Sequence, residues 1–383
     1  MSKLDDLIQK LYPDGVEFLT LGDICEVYDG THQTPQYTDS GVKFVSVENI
    51  GALYETTKYI SSDAYQKDFK IKPQVNDVFM TRIGSIGVCA LVDKDEDLAY
   101  YVSLALLRPN QSVLNSRYLI HVIGSMHGRK ELRKRTLVNA VPIKVNTGDI
   151  GKIKIPVPPL EVQREIVRIL DNFTELTAEL TAELTARKLQ YEYYRDELLT
   201  FGDDIPVKRL SDILQLQRGV RVVRKQLSEE GKYPVYQNSM KPLGYYDECN
   251  CRSNMTFIIA AGAAGEIGYC TTEFWAADDC YYFDCPTDIL VDRFLYYVLC
   301  AQSNRIAQMV RKASIPRLGR TSVENLNIPL PPVDEQKRIV DILDRFDTLC
   351  NDLSSGLPAE IAARQKQYEY YRDKLLTFKE IGA

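Results

Sequence analysis

No stretch of this chain comes near twenty consecutive apolar residues, and its first residues carry no charged-then-apolar signal pattern. Neither a membrane-spanning helix nor a secretory leader is expected, which leaves the cytoplasm as the default location. Metal chemistry has little to work with. There are three histidines, His32, His121 and His127, and nine cysteines without a CxxC spacing. Cys249 and Cys251 stand one residue apart, too close for a zinc pair of the usual kind, so the cysteines read as reduced thiols in the core or in incidental positions. Catalytic signatures are missing as well. The chain has no GxxxxGK phosphate loop, no GxGxxG after a strand, no HExxH, no GxSxG elbow and no Asn-Pro-Pro-aromatic string of an amino-methyltransferase. Its carboxylates form no pair that improves on a salt-bridge reading. The sequence offers no catalytic constellation, and binding is the better class.

What is present is repetition. Gln190 to Phe201 reads QYEYYRDELLTF, and Gln367 to Phe378 reads QYEYYRDKLLTF, identical at eleven of twelve positions. Upstream, IPVPPLEVQREIVRILDNF (Ile155 to Phe173) matches IPLPPVDEQKRIVDILDRF (Ile328 to Phe346). The chain is built as two copies of one plan, so its function should need two of something. The proline clusters stop strands and open helices. After Pro159, Ile166, Ile169, Phe173, Leu176 and Leu180 keep a coiled-coil spacing, and Leu184, Tyr191 and Leu198 continue a displaced ladder. The displacement falls in LTAELTAELTA (Leu176 to Ala186), a stutter without a helix breaker, so the helix should run through it. The second copy has Ile339, Ile342, Phe346, Leu349 and Leu353, then Ile361, Tyr368 and Leu375. Its intervening tract, Asp347 to Lys366, is twenty residues long against sixteen and carries Gly356 and Pro358, so it should kink or break there.

The remainder forms two blocks, roughly residues 14–154 and 205–327, which are diverged copies. Gly30 aligns with Gly219, and NDVFMTRIGSIG (Asn76 to Gly87) aligns with NMTFIIAAGAAG (Asn254 to Gly265). Each block opens with a short helix-like segment, LGDIC or LSDIL, and continues through short β-branched and aromatic runs. Each ends in an expected helix, Arg117 to Lys134 and Val291 to Lys312. These are small mixed α/β domains. Residues 3–11 have the character of a helix end ahead of block one, as RDELLTF precedes block two, making the plan close to circular. The GSIG and GAAG glycines suit a tight strand turn, or the close approach of a ligand backbone.

The net charge of −6 argues weakly against nucleic-acid binding, but that average hides segregation. Gly128 to Lys154 holds eight Lys/Arg against two acids, Ile205 to Lys241 eight against three, and Ser303 to Arg320 five and no acid. Asp171 to Asp204 runs the other way, with nine acids against three bases. A polyanion suits the basic regions and a protein the acidic one, while solvated faces remain the plain alternative. Duplex readers use Arg or Lys for guanine and phosphate and Asn or Gln for adenine. Block one offers Thr31, His32, Gln33 and Thr34 after its aligned glycine, then Glu48 and Asn49, and Arg82. Block two offers Arg218, Arg221, Arg224 and Lys225, then Gln237 and Asn238, with Ala260 opposite Arg82. Lys144 and Asn146 before one proline cluster resemble Arg317 and Arg320 before the other and suit phosphate contacts. A shared frame with different polar tips is what two readers of different short sequences need; ordinary loop divergence is the alternative. Among the repeated tyrosines, some should pack in the helical seam. The rest of the set Tyr191, Tyr193, Tyr194 and Arg195, with Tyr368, Tyr370, Tyr371 and Arg372, should meet a partner subunit.

The QYEYYRD helices, the tandem TAEL and DGTHQTPQYTDSGVKFVSVENI (Asp29 to Ile50) together resemble the DNA specificity subunits of type I restriction–modification systems, over almost the whole chain. QYEYYRD with TAEL looks like the type IC subgroup. GTHQTP is typical of one class of recognition domain, and KYPVYQNS with FWAADDC (Phe274 to Cys280) resembles another. The resemblance implies two small target recognition domains separated by long, paired coiled-coil helices in a pseudo-two-fold circular repeat. Residues 1–157 would be the first recognition domain, 158–204 a central helical spacer, 205–330 the second domain and 331–383 a C-terminal spacer. It implies a bipartite double-stranded DNA site, two modification subunits docked on the helices, and restriction subunits that translocate and cleave. S-adenosylmethionine, ATP and Mg would sit on those partners, with no cofactor bound by this chain and no catalysis of its own. The unequal tracts leave the register of the helix pair open. Two other classes stay in view: a protein-binding scaffold of repeated domains, and a stand-alone DNA-modifying enzyme.

Overall fold

The computed structural model describes residues 15–352 and 354–382. The helix end expected at residues 3–11 and the ladder position Leu353 lie outside the described residues. The chain divides into two compact units, residues 1–180 with 361–383, and residues 181–360. All nine cysteines are free thiols. Among the described residues no helix is long and apolar enough to cross a membrane.

Among the described residues of the first unit, nine short strands make three sheets. β1 (Phe18–Thr20) pairs with β9 (Lys154–Pro156), and β4 (Tyr59–Ile60), β3 (Val42–Val45) and β7 (Leu98–Tyr100) form a second sheet. The largest has the order β2 (Cys25–Asp29), β8 (Leu104–Pro109), β5 (Val78–Thr81), β6 (Cys89–Leu91). All four residues of β5 are buried, as a central strand covered on both faces requires. The second unit repeats this plan strand for strand. β10 (Val207–Arg209) pairs with β18 (Asn327–Pro329). β13 (Gly244–Tyr246), β12 (Tyr233–Tyr236) and β16 (Trp275–Ala276) form the three-stranded sheet. The four-stranded order is β11 (Gln217–Arg218), β17 (Cys280–Phe283), β14 (Met255–Ile259), β15 (Ile267–Cys270). Even the parallel pairing of named strands recurs, β3 with β7 and β12 with β16.

The paired glycines are hairpin turns. Gly84 and Gly87 have φ of 78° and 88°, and Gly262 and Gly265 have 87° and 93°. The Gly87 amide donates to Thr81 O and the Gly265 amide to Ile259 O. Left-handed backbone of this kind is open to glycine at no steric cost.

Each expected block-ending helix is in fact two, which corrects the reading of one continuous segment. Arg117 to Lys134 divides into α1 (Ser116–Gly124) and α2 (Met126–Arg135), with the Ser125 hydroxyl accepting from the Gly128 amide as an N-cap. The two helices turn so sharply that a Cβ on Gly128 would lie 2.1 Å from Val122 O. α3 (Leu160–Leu198) runs unbroken through the TAEL tract for 39 residues. Val291 to Lys312 divides into α4 (Asp292–Ala301) and α5 (Ser303–Met309) around Gln302. In the second copy, α6 (Val333–Asn351) and α7 (Leu357–Leu375) are separate. The break falls where Gly356 and Pro358 predict it, with the proline in the first turn of α7, where its missing N–H costs nothing.

The helices complete the cores. In the first unit Val162, Ile166 and Leu170 of α3 bury against Leu21, Tyr118 and Ile155, with Tyr368 and Leu375 of α7 packed on the same cluster. In the second, Ile339 and Leu343 of α6 bury against Phe283, Phe294 and Tyr297, with Tyr191 and Leu198 packed on them. Each unit is thus closed by the QYEYYRD segment of the opposite repeat. The first unit is also tied by a small bridge, the Val16 amide donating to Lys379 O and the Ile381 amide to Val16 O.

Candidate nucleic-acid interface

The loops around the larger sheet are held by the same backbone bonds in both domains. Gly30 and Gly219 let the following loop lie against the end of the parallel strand; a Cβ there would sit 2.4 Å from Tyr101 O or 2.1 Å from Ala277 O. The Thr31 amide then donates to Tyr100 O, and the Val220 amide to Ala276 O. On the other side, the basic segments dock on the hairpin turns. Gly84 N donates to Ile143 O and Gly262 N to Pro316 O, while Val145 N donates to Arg82 O and Leu318 N to Ala260 O. Segments far apart in sequence therefore converge on one edge of each domain.

In the first domain, Asp29 joins these segments, its carboxylate 3.0 Å from His32 Nε2 and 2.9 Å from Arg82 Nη2. The Ser103 hydroxyl accepts from Val47 N and brings in the loop that carries Glu48 and Asn49. Thr31, His32, Gln33, Thr34, Asn49, Lys144 and Asn146 are brought together at this edge. Gln33, Thr34 and Lys144 are exposed, and among the described residues none pairs with the Gln33 or Lys144 side chain. Asn49 uses its carbonyl oxygen to accept from Ser46 N at 3.1 Å, which points its amide donor elsewhere. Glu48 is held by Lys58 at 2.9 Å, and Asn146 donates to Asp149 at 3.3 Å.

Arg82 departs from the expectation of a base reader. It is 6% exposed, and its guanidinium is spent on Val102 O at 2.9 Å, Val145 O at 3.1 Å and Asp29. A buried charge needs such partners, and here they make Arg82 the brace that fixes the loops around it.

In the second domain, Arg221, Arg224 and Lys225 project from the loop that follows Gly219. They are exposed, and no described residue pairs with them. Gln226 accepts from Val223 N and holds that loop in a single helical turn. Arg218 is exposed but donates to Asp278 O at 2.9 Å. Asn238 is pinned by its backbone, its carbonyl accepting from Ala263 N, while its side chain is exposed and unpaired among the described residues; Gln237 beside it is half-buried. A Cβ on Gly262 would lie 2.7 Å from Asn238 O, so the close fit of loop and turn needs glycine. Arg317 is exposed, whereas Arg320 is tied to Glu324 at 2.7 Å and to Leu216 O at 2.8 Å.

The repeated tyrosines divide in two. Tyr191 and Tyr368 pack into the cores, with Arg195 and Arg372 over their rings at 5.8 Å and 5.3 Å. Tyr194 stacks on Phe346 and Tyr371 on Phe173. Tyr193 and Tyr370 remain 65% and 62% exposed.

What single residues could not reveal is how each domain is fastened to its helix. Gln163 is fully buried; it accepts from Asn115 N at 2.8 Å and donates to Val113 O and Pro158 O. Gln336 repeats all three bonds with Val291 N, Ile289 O and Pro331 O. Asp171 accepts from Arg117 and faces His121, and Asp344 accepts from Arg293 and Tyr297. Burial pulls the Asp171 carboxyl up, but the contacts from His121 and Arg117 outweigh it and hold it below its ordinary value. The signal was available: both residues keep their places in the matched strings after Ile155 and Ile328.

Comparison with known proteins gives a consistent result. Residues 13–187 and 202–363 match the family described as type I restriction modification DNA specificity domain. The specificity subunit of the Escherichia coli type I restriction enzyme EcoR124I/EcoR124II is 36% identical over 258 residues, covering 59% of this chain and 63% of that protein. The MpnII specificity subunit of Mycoplasma pneumoniae is 28% identical over 310 residues, covering 63% and 93%. Among solved structures, the S subunit of a type I restriction–modification system from M. genitalium superposes with a TM-score of 0.62 at 15% identity, covering 94% of this chain and 96% of that one. A chain from a study of complex assembly in a type I system gives 0.62 at 19% identity, covering 95% and 98%. At these identities the structural likeness shows a shared fold.

Proposed function

Because this chain belongs to the family of DNA specificity subunits of type I restriction–modification systems, we propose that each of its domains reads one half of a bipartite duplex site through the loop edge described above. One observation carries the reading. Two domains with the same strand order and the same bracing bonds put different exposed side chains at the same edge, Gln33, Thr34 and Lys144 in one, Arg221, Arg224, Lys225 and Asn238 in the other, none of them paired by its side chain among the described residues. Arginine is suited to guanine and phosphate, and asparagine or glutamine to adenine. Family membership supports this reading over a protein-binding scaffold.

The chain positions and its partners react. S-adenosylmethionine, ATP and Mg belong to modification and restriction subunits, and no catalytic signature in the sequence competes with that division. The exposed Tyr193 and Tyr370 are the contact points for two modification subunits, and the long helices set the distance between half-sites. A cytoplasmic location goes with action on DNA. Exchange of residues 14–154 for the equivalent block of another family member tests the modular claim. Methylation mapping in a host that also supplies the modification subunit should show one half-site changed and the other kept. A change in both halves would defeat it.

A further inference from the structure

We propose that the tip of the basic segment in each domain is an aliphatic wedge that enters the stack between neighbouring base pairs of the bound duplex. The proposal rests on the DNA reading above. In the first domain the chain folds back between Leu137 and Lys144, with Leu137 N donating to Lys144 O at 2.8 Å and Ala140 N to Leu137 O at 3.2 Å. Beside the exposed Asn139 and Lys144, most outward residues of this fold are apolar. Leu137, Val138, Val141 and Ile143 are all exposed, and Val141 is 99% exposed, touching almost nothing of its own chain. In the second domain Arg311 N donates to Arg317 O and closes the equivalent fold, with Ile315 53% exposed at its tip.

Each fold has its turn residues, Asn139 with Pro142 in one and Ser314 with Pro316 in the other, so the exposed aliphatics beside them are not needed to make the turn. Exposed aliphatic clusters mark surfaces that something covers. Both segments are anchored on the hairpin turns by the bonds from Gly84 N and Gly262 N, so the tips are fixed in place next to Lys144 and Arg317. The two tip sequences have diverged, TLVNAVPIK against KASIPR, yet each keeps an exposed β-branched aliphatic there. The surrounding charge selects the occupant. Residues 303–320 hold five Lys/Arg and no acid, and Arg133 and Lys144 flank the first tip. An apolar tip ringed by cations fits a polyanion with an apolar interior, which is a base-paired duplex. Aliphatic side chains pushed between base steps partly unstack and kink DNA in this way.

The test uses the complex of this chain with its modification subunits and a duplex carrying its own mapped target, with 2-aminopurine substituted in turn at each half-site adenine. The wild-type complex should raise fluorescence several-fold at a step in each half. Val141→Ser should abolish the rise in the half read by the first domain, and Ile315→Ser the rise in the other, while affinity for non-target duplex and its salt dependence stay unchanged. Tight binding with no rise, or a rise that both variants preserve, overturns the wedge alone. Loss of subunit assembly in Val141→Ser would assign the tip to a protein contact and also overturn it. Absence of any salt-dependent binding by the wild-type complex would overturn the underlying DNA reading. The exposure of Val141 keeps folding out of the comparison.

Discussion

Tyr371 lies on Phe173 with ring centroids 5.4 Å apart and planes 22° from parallel. Tyr194 meets Phe346 at 5.8 Å and 28°. Each tyrosine comes from one QYEYYRD copy and each phenylalanine from the helix of the other copy, so the two repeats complete one another. Offset stacks of this geometry contribute about 0.5–1.5 kcal/mol beyond their buried area. A double-mutant cycle with Phe173→Ala and Tyr371→Ala, read by urea denaturation, should give a coupling energy in that range. The cycle with Phe346→Ala and Tyr194→Ala should match it. Strictly additive losses in both cycles would remove the stacks from the account of how the units close.

Gln163 and Gln336 should be unusually intolerant of apolar replacement. Leucine fits the volume but leaves one amide donor and two carbonyls without partners in each buried site. An orphaned buried polar group costs about 1–3 kcal/mol, so Gln163→Leu and Gln336→Leu should each destabilise the chain by at least that amount. Calorimetry or chemical denaturation checks it. A neutral effect would mean that water takes over the abandoned bonds.

Asp171 should give the first unit an acid-sensitive fastening. Its carboxyl is held below the ordinary value of 3.8, burial opposing and the contacts from His121 and Arg117 prevailing. A group whose folded-state pKa is depressed contributes stability that is fully present above its unfolded value. That contribution is lost as pH falls through the lower folded value. Stability measured from pH 5 downward should therefore fall more steeply in the wild type than in Asp171→Asn, which should start lower and lack that component of the slope. Parallel curves would show that the charge on Asp171 does not hold the unit together.

Much of this architecture was written in local pattern. The repeated strings announced two units, the TAEL tract contained nothing to stop a helix, and Gly356 with Pro358 marked where the second copy breaks. Contacts distant in sequence were not legible. Nothing in the apolar spacing of Arg117 to Lys134 shows that Gly128 must pass against the Val122 carbonyl, which is why one expected helix is two. Arg82 read as a free cation because its partners, Asp29, Val102 and Val145, reach it only through the fold. The loop residues around it were found as separate candidates, and it took the backbone bonds of Thr31, Gly84 and Val145 to show that they share an edge.

The unbroken α3 leads to a prediction about distance. Its 39 residues pass through the TAEL tract as one helix, so an added unit should extend the helix rather than bulge from it. Four residues lengthen a helix by about 6 Å and turn it a little more than once. Duplex DNA rises about 3.4 Å per base pair. Insertion of one TAEL unit after Leu184 should therefore lengthen the gap between half-sites by one or two base pairs, and deletion of one should shorten it equally. Both half-site sequences should be kept, because no residue at either reading edge has moved within its own domain. Methylation mapping of the two variants reads the gap directly. If both variants modify sites with the parental gap, α3 is not the ruler and the distance is set elsewhere.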